Sequence, residues 1–250
     1  MGQPVLSEPQ GSSFADVFHA GDCECDAENR MTPGAILRRA QQIATDHSAY
    51  LGMDTPLYQR LHCAFLLAKT AMELYAPIHA GQAIRIQTWA STPQKAVYHR
   101  CTTLYDETGA TVCKIDSRWI LADTRTRRIL RRPPEGFPTP YTMPPAYELP
   151  LDFARAEPQA VAEETARYTR CDTNHHLNNT YYADIVLDHT PLDRLSTLSP
   201  ARLVILYHSE IPLGASFTLQ RAETGEDTWY FCGQNPSNEK KHFEASLTLS

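Results

Sequence analysis

Residues 133–150, PPEGFPTPYTMPPAYELP, constrain the fold of this 250-residue chain more than any other stretch, because they contain seven prolines. Proline lacks the amide hydrogen that helix interiors and central strands must donate, so the stretch favours a semi-extended linker. The chain is therefore predicted to consist of an N-terminal unit at residues 1–132, a linker at residues 133–150 and a C-terminal unit at residues 151–250.

The two units carry the same order of signals. In the first, Thr32 and Pro33 are typical of an N-cap and a first helical residue, and apolar residues at three-to-four spacing extend the predicted helix to about Gly52. In the second, Asn178 is predicted to cap a helix that contains Tyr182. Strand-like runs follow both helices: AFLLAKTAMELY, AIRIQTWAS, AVYHRCTTLYDE and ATVCKIDSRWILAD in the first unit, and ARLVILYHSEI, ASFTLQRAE, TWYFCGQ and KHFEASLTLS in the second.

A shared spacing also links the two units. The pair Cys25-Asp26 precedes Thr32 by seven and six residues, and the pair Cys171-Asp172 precedes Asn178 by seven and six. We interpret this as an internal duplication of an α+β unit with one long helix and about five antiparallel strands. A helix lying across each sheet would cover the apolar face of that sheet.

Composition excludes several classes of protein. The formal net charge of -6 argues against a nucleic-acid binder, and no segment approaches the roughly 18 apolar residues that span a bilayer. The first residues, MGQPVLSEPQGSSF, lack both the basic start and the apolar core of a secretory signal. Seven scattered cysteines then favour free thiols over disulfides, so we expect a cytoplasmic location.

The stretch CDTNHHLNNTYY, residues 171–182, is the candidate site. If the segment is extended, Asp172, Asn174 and His176 alternate and share one face as they enter the helix. A helix start offers unpaired N–H groups that can polarise a carbonyl or hold an oxyanion. This arrangement suits acyl transfer, although a polar turn that only caps the helix remains an alternative on spacing alone.

A metal site is not expected here. His175 and His176 are adjacent and would point to opposite faces of an extended segment, and no HxxxH or HxH pair is present. Cys171 would face away from Asp172 in the same segment, which argues against a cysteine nucleophile. The sequence therefore predicts neither a metal nor a cofactor.

Several motifs together resemble the plant-type acyl-acyl carrier protein (acyl-ACP) thioesterase family. The run Asp172-Thr-Asn174-His-His176-Leu-Asn178-Asn179 is similar to that family's Asp-x-Asn-x-His-x-Asn-Asn signature, which a Tyr follows; here Tyr181 and Tyr182 follow it. The run Tyr207-His-Ser-Glu210 is similar to the family's Tyr-x-x-Glu, although plant members often continue with Cys where this chain has Ile211. Runs at residues 84–89, 117–121 and 123–129 resemble the family's N-terminal half in order and spacing.

The resemblance implies a double hotdog, that is, two tandem hotdog units in which an antiparallel sheet wraps a helix. It assigns the catalytic residues to the second unit: Asp172, Asn174, His176 and Glu210. The matching positions of the first unit hold Asp26, Glu28 and Arg30, so that unit would carry a degenerate site and shape the pocket for the acyl tail.

The implied activity is hydrolysis of acyl-ACP to a free fatty acid, which ends fatty acid synthesis. Asp172 would attack the thioester carbonyl or act as general base, with Glu210 as the alternative base. Asn174 would orient the carboxylate or the water, and His176 would bind the substrate or the departing sulfur. The backbone N–H groups near Asn178 and Asn179 would receive the carbonyl oxygen.

Five arginines lie within residues 125–132 of this acidic chain. A solvated hairpin end is the usual explanation, but Arg127 and Arg128 could also dock an acidic carrier protein. An acyl-CoA thioesterase of the same fold and a non-catalytic acyl-binding module remain alternatives. Acyl chain length, saturation and oligomeric state, a homodimer included, stay open.

Overall fold

The computed structural model describes residues 13–141 and 143–250. Within these residues ten strands form one sheet in which all neighbouring strands are antiparallel. The strands are β1 Ser13–His19, β2 Cys63–Leu74, β3 Ala83–Ala90, β4 Val97–Tyr105, β5 Thr111–Asp123, β6 Gln159–Thr165, β7 Pro200–Tyr207, β8 Ser216–Gly225, β9 Thr228–Gln234 and β10 Lys241–Leu249. The helices are α1 Pro33–Tyr50, α2 Thr55–Leu61, α3 Tyr181–Asp188 and α4 Leu192–Leu195.

The strand order is β1-β3-β4-β5-β2-β7-β10-β9-β8-β6. The two halves meet at β2 and β7, which pair from Lys69↔Leu206 to Glu73↔Arg202. Outward from this seam, the strand order is β2-β5-β4-β3-β1 in the first half and β7-β10-β9-β8-β6 in the second. The two halves therefore have the same topology. The prediction of antiparallel strands with few helices is confirmed, and the two sets of five strands form one continuous sheet.

The edge strands β1 and β6 lay outside the strand-like runs read from the sequence. Most side chains of β6, QAVAEET, are exposed or half-buried, and the strand has no clear apolar alternation. Charged side chains are typical of edge strands, where they oppose pairing with another chain. The property that protects the β6 edge therefore also hides this strand from a search for apolar runs.

Helix α1 agrees closely with its prediction. The Thr32 side chain accepts a hydrogen bond from the Ala35 N–H at 3.2 Å, Pro33 is the first helical residue, and the helix ends at Tyr50. Its buried face packs against β1, β3 and α3, so α1 covers one face of the sheet. None of the helices in the described residues is both long and apolar enough to cross a membrane.

The second predicted helix differs in start and length. Helix α3 begins at Tyr181 and has eight residues, with Thr180 at the N-cap position and no side-chain cap. The Asn178 side chain instead accepts from the Thr180 N–H at 3.0 Å and the Thr180 hydroxyl at 2.8 Å, which holds the turn before the helix. The prediction of a long helix capped by Asn178 is therefore wrong, and Pro191 lies close behind the helix end, where a helix cannot continue.

The proline-rich segment crosses the face of the sheet opposite α1. Leu149 packs on Ala71 and Val204, and its N–H donates to Asp116 Oδ2 at 2.9 Å. Asp116 Oδ1 lies 2.5 Å from His99 Nε2. Burial disfavours a charged His99, but its hydrogen bonds, that with Asp116 first, outweigh burial and raise the pKa of His99 to about 9. An ionic pair at neutral pH thus anchors the segment.

Helices α1 and α3 touch where Gly34 faces Asp184. A Cβ at Gly34 would overlap the Asp184 carboxylate, whose Oδ2 lies 2.6 Å from Arg38 Nη1. Close approach therefore requires glycine here, although alanine is otherwise the better helix former by about 1 kcal/mol. This contact fixes α1 beside the start of α3.

Replacing Gly34 by alanine is expected to lower the free energy of unfolding by about 2 kcal/mol, because the new methyl group overlaps Asp184. Chemical denaturation of Gly34→Ala measures this change. The double variant Gly34→Ala/Asp184→Ala removes the overlapping carboxylate without placing glycine in α3, and is expected to regain part of the loss. A Gly34→Ala protein that is as stable as the parent or more stable would contradict the close approach of the two helices.

Candidate active site

The loop at residues 171–177 is a tight turn. The Asp172 N–H donates to the His176 carbonyl at 2.9 Å, and Asp172 Oδ1 accepts from the Asn174 N–H at 2.8 Å. His175 has a φ of 61°. The predicted alternation along an extended segment is therefore wrong, because an aspartate that bonds the backbone two residues later closes a turn instead. The turn itself groups Asp172, Asn174 and His176.

A second segment brings Glu210 to this turn. The Leu177 N–H donates to the Ile211 carbonyl at 2.9 Å, and the Leu213 N–H donates to the His175 carbonyl at 2.8 Å. As a result, His176 Nε2 lies 3.4 Å from Glu210 Oε2. The His176 side chain is 28% exposed and that of Glu210 is 51% exposed, so both groups are open to water or substrate.

Tyr182 is a buried residue of the helix that follows the turn. Burial raises the pKa of the Tyr182 phenol, and the charges of Glu210 and Asp172 raise it further. The Tyr182 ring packs edge-on against Tyr207, with ring centroids 5.2 Å apart, and against Phe243, at 4.9 Å. The sequence identified Tyr182 as a buried helix residue but not its contact with Tyr207.

Only one of the two predicted carbonyl-binding groups is available. The Asn178 N–H already donates to the Arg170 carbonyl at 2.9 Å, so its assignment as a carbonyl-binding donor is wrong. The Asn179 N–H has no acceptor among residues 13–141 and 143–250. The Asn179 carbonyl accepts from the Tyr207 hydroxyl at 3.0 Å, which holds this peptide at the end of β7.

The first half contains the same turn with different chemistry. The Asp26 N–H donates to the Arg30 carbonyl at 2.8 Å, and Asn29 has a φ of 58°, as His175 has 61°. Here the Asp26 carboxylate pairs with the Arg30 guanidinium at 2.9 Å. Arg30 is 8% exposed and also donates to the carbonyls of Leu195 and Leu198. This turn therefore serves as a structural contact, with its carboxylate neutralised.

Two adjoining cavities lie between α1 and the first half of the sheet. The larger, about 320 Å³, lies under the C-terminal part of α1, and the smaller, about 40 Å³, reaches Asn179 and Tyr207. Both are lined by Gln41, Ala44, Arg100 and Trp119. Asn179 and Tyr207 of the second half thus border a cavity that lies mostly in the first half.

Arg100 is the lining residue that the sequence reading missed. It lies in β4 within the run VYHRCTTLY, and its strand neighbours Tyr98 and Thr102 also line the cavities. An arginine on the inward face of a strand is unusual, since arginine is almost never buried unless it is paired. An arginine within a strand was the available signal. To use it, one must know which face of β4 points inward, and the sequence alone does not show this.

The arginine-rich hairpin lies at the end of β5. Asp123 closes it by accepting from the Arg125 N–H at 2.9 Å, and the side chains of Arg127 and Arg128 are exposed. Strand β2 extends past its pairing with β7 to Cys63, which pairs with Asp123. This is the direction in which β7 leads to Glu210, so the hairpin and the turn lie toward the same end of the sheet.

Comparison with known proteins identifies the same family in both halves. Residues 11–138 match the family model described as the acyl-ACP thioesterase N-terminal domain, and residues 154–247 match the acyl-ACP thioesterase C-terminal domain. A chloroplastic palmitoyl-acyl carrier protein thioesterase of Cuphea hookeriana is 23% identical over 216 residues, which are 80% of this chain and 52% of that protein. The chain therefore spans about half the length of this relative.

Two solved structures share the fold over nearly the whole chain. The acyl-ACP thioesterase from Bacteroides thetaiotaomicron is 20% identical with a TM-score of 0.86, over 96% of this chain and 98% of that one. The 12:0-ACP thioesterase from Umbellularia californica is 17% identical with a TM-score of 0.85, over 98% of this chain and 99% of that one. At these identities the likeness is one of fold.

Proposed function

The chain belongs to the acyl-ACP thioesterase family, and on that premise we propose that it hydrolyses acyl-ACP to a free fatty acid and the carrier, ending fatty acid synthesis. The observation that carries the proposal is the turn at Asp172. It presents a carboxylate and a histidine that lies 3.4 Å from Glu210, and Asn179, which follows the turn in sequence, lines the smaller cavity. No cofactor takes part in the proposed reaction.

We also propose that the fold is a double hotdog, with units at residues 1–132 and 151–250 joined by residues 133–150. The repeated strand order, the matching turns at Asp26 and Asp172, and the separate family matches of the two halves support this division. The second unit is catalytic, and the first houses the acyl tail.

Two routes for Asp172 fit the chemistry. In the first, its carboxylate attacks the thioester carbonyl carbon, the C–S bond breaks, the thiolate takes a proton, and water then cleaves the mixed anhydride. In the second, Asp172 removes a proton from water, the hydroxide attacks the carbonyl, and the thiol leaves with a proton. Both routes pass through an oxyanion that the Asn179 N–H can stabilise.

The neighbouring side chains take supporting roles. Asn174 contacts Asp172 through its backbone N–H at 2.8 Å and its side-chain amide at 3.4 Å, and so orients the carboxylate. Glu210 holds His176 at 3.4 Å or serves as the alternative base. His176 donates to the substrate carbonyl or to the departing sulfur. Asn178 supports the turn through its side chain rather than binding substrate.

We further propose a cytoplasmic location and a homodimeric assembly. A cytoplasmic location is supported by the seven cysteines, all of which are free thiols. A homodimer is a prediction that sedimentation of the purified protein would test. An acyl-CoA thioesterase and a non-catalytic acyl-binding module are the competing functions, and the experiments below separate them.

Replacing Asp172 by asparagine is expected to lower kcat by at least about 100-fold, because the carboxylate is lost while the side-chain oxygen can still close the turn. The matched control is Asp26→Asn in the first turn. That variant leaves the buried Arg30 without its partner and is expected to lose roughly 3 kcal/mol of stability while keeping its turnover per folded molecule. Steady-state hydrolysis and denaturation of both proteins measure the contrast.

Equal losses of activity in the two variants would contradict the assignment of catalysis to the second turn. If the parent protein binds acyl-ACP but hydrolyses no thioester, the acyl-binding module is the better description. Matched CoA and carrier thioesters distinguish the two enzyme functions, since a carrier-specific enzyme has the higher kcat/KM on the carrier form.

Single-turnover hydrolysis in heavy-oxygen water separates the two routes. The anhydride route is expected to place label in the Asp172 carboxylate when water attacks the anhydride at the side-chain carbon. The general-base route places label only in the product acid. Mass spectrometry of the peptide that contains Asp172 reads the difference, and the Asp172→Asn protein provides the unlabelled reference.

The arginine hairpin is proposed to dock the acidic carrier. The double variant Arg127→Glu/Arg128→Glu is expected to raise KM for acyl-ACP about 10-fold or more and to leave KM for the corresponding acyl-pantetheine unchanged. Arg85→Glu, an exposed cation toward the opposite end of the sheet, is the control. Unchanged kinetics on acyl-ACP at low ionic strength would rule out docking at this hairpin.

A further inference from the structure

Arg100 is a buried cation that meets no carboxylate within residues 13–141 and 143–250. It is 9% exposed, and its guanidinium bonds His47 Nδ1 at 3.0 Å, Thr88 Oγ1 at 3.2 Å and Ser48 Oγ at 3.3 Å. No carboxylate among the described residues contacts it. A buried charge normally has a partner of opposite charge, because leaving it unpaired in a low-dielectric interior is costly.

The groups around Arg100 stay neutral. Burial and the charge of Arg100 lower the pKa of His47 to about 3, so its ring accepts the hydrogen bond uncharged. Burial raises the pKa of Tyr58 to about 12 and also raises that of Tyr141. Neither phenol therefore supplies a negative charge at neutral pH. The positive charge of the guanidinium is not balanced from within the described residues.

Part of the guanidinium is free to bind a ligand. A guanidinium carries five N–H donors, and the three hydrogen bonds of Arg100 use its two terminal nitrogens. The Nε–H has no acceptor within the described ranges, 13–141 and 143–250. The Nε–H and one terminal N–H form the fork that binds a carboxylate in bidentate fashion.

The position of Arg100 fits the far part of an acyl chain. It lines both cavities, whereas Asn179 lines only the smaller one. Across the sheet, Ile205 of β7 pairs with Thr70, Thr70 with Ser117 and Ser117 with Arg100. Three strand spacings therefore separate Arg100 from β7, or about 14 Å.

The surface beneath α1 is mostly apolar, but several hydroxyl groups interrupt it. Thr70, Thr102 and Ser117 line the smaller cavity, and Ser91 lines the larger. The Ser91 hydroxyl is buried and has no hydrogen-bond partner among the described residues. A plain hydrocarbon tail would leave this hydroxyl and the Arg100 Nε–H without hydrogen-bond partners, which carries a desolvation cost.

We propose that the acyl chain taken by this site ends in a carboxylate, which binds the free edge of Arg100. The substrate class is thus the monothioester of a dicarboxylic acid. A terminal hydroxyl would supply a hydrogen bond but would not balance the charge, so the carboxylate is favoured. The inference rests on the proposed thioesterase function for its reaction, but its binding claim can be tested separately.

The kinetic test compares pantetheine thioesters of equal length that end in carboxylate, hydroxyl or methyl. The wild-type protein is expected to favour the carboxylate over the methyl end by at least about 10-fold in kcat/KM at the best chain length. Arg100→Met, of similar length but uncharged, is expected to reverse that order, a swing of about 100-fold. A wild-type preference for the methyl or hydroxyl end at every length would overturn the proposal.

A binding test separates this inference from the proposed function. Calorimetric titration with a dicarboxylic acid and with the monocarboxylic acid of equal length needs no hydrolysis. Tighter binding of the dicarboxylic acid, lost in Arg100→Met, supports the carboxylate site even if no thioester is cleaved. Hydrolysis of methyl-ended thioesters without any such binding preference overturns the site and leaves the thioesterase function intact.

Two further measurements test the carboxylate site if Arg100→Met folds poorly. Arg100→Lys keeps the charge but loses the fork, and is expected to retain a reduced carboxylate preference. In the wild-type protein alone, a fixed guanidinium requires the carboxylate preference to peak at one chain length. A preference that is absent or equal at all lengths from short to long contradicts the proposal without any variant.

Discussion

The backbone pairing of β2 with β7 is the constraint on which the rest of the structure depends. It joins the two five-stranded halves from Lys69↔Leu206 to Glu73↔Arg202 and sets their register. At one end of β7 the Tyr207 hydroxyl donates a hydrogen bond to the Asn179 carbonyl. Residues of the neighbouring first-half strands line the smaller cavity. Asn179 and Tyr207 of the second half therefore border a cavity most of whose lining residues belong to the first half.

The turns at Asp26 and Asp172 have the same backbone structure but different side-chain contacts. Both are closed by an aspartate that bonds the following backbone, and both have a residue of positive φ at the same place. In the first turn the Arg30 guanidinium neutralises Asp26 and donates hydrogen bonds to the Leu195 and Leu198 carbonyls, which precede β7. In the second, His176 stands in place of the arginine, and Asp172 remains available for chemistry. The backbone is preserved while the side chains decide the role.

Local signals allowed α1, the main strands and the family to be predicted. The Thr32-Pro33 start and the apolar spacing of α1 are set by neighbouring residues, so the sequence suffices. Asn178 misled because asparagine bonds a nearby N–H equally well in a turn and at a helix cap. The approach of Glu210 to His176, the role of Tyr182 and the burial of Arg100 depend on segments far apart in sequence, which one chain without structure does not reveal.

In the proposed reaction, the thioester carbonyl lies at the second turn while the acyl tail runs beneath α1 into the first half. A crystal structure with a non-hydrolysable acyl-pantetheine analogue would test this placement. The carbonyl oxygen is expected within about 3 Å of the Asn179 N–H, and the tail between α1 and Trp119. A carbonyl bound at the Asp26 turn, or a tail held wholly within the second half, would contradict it.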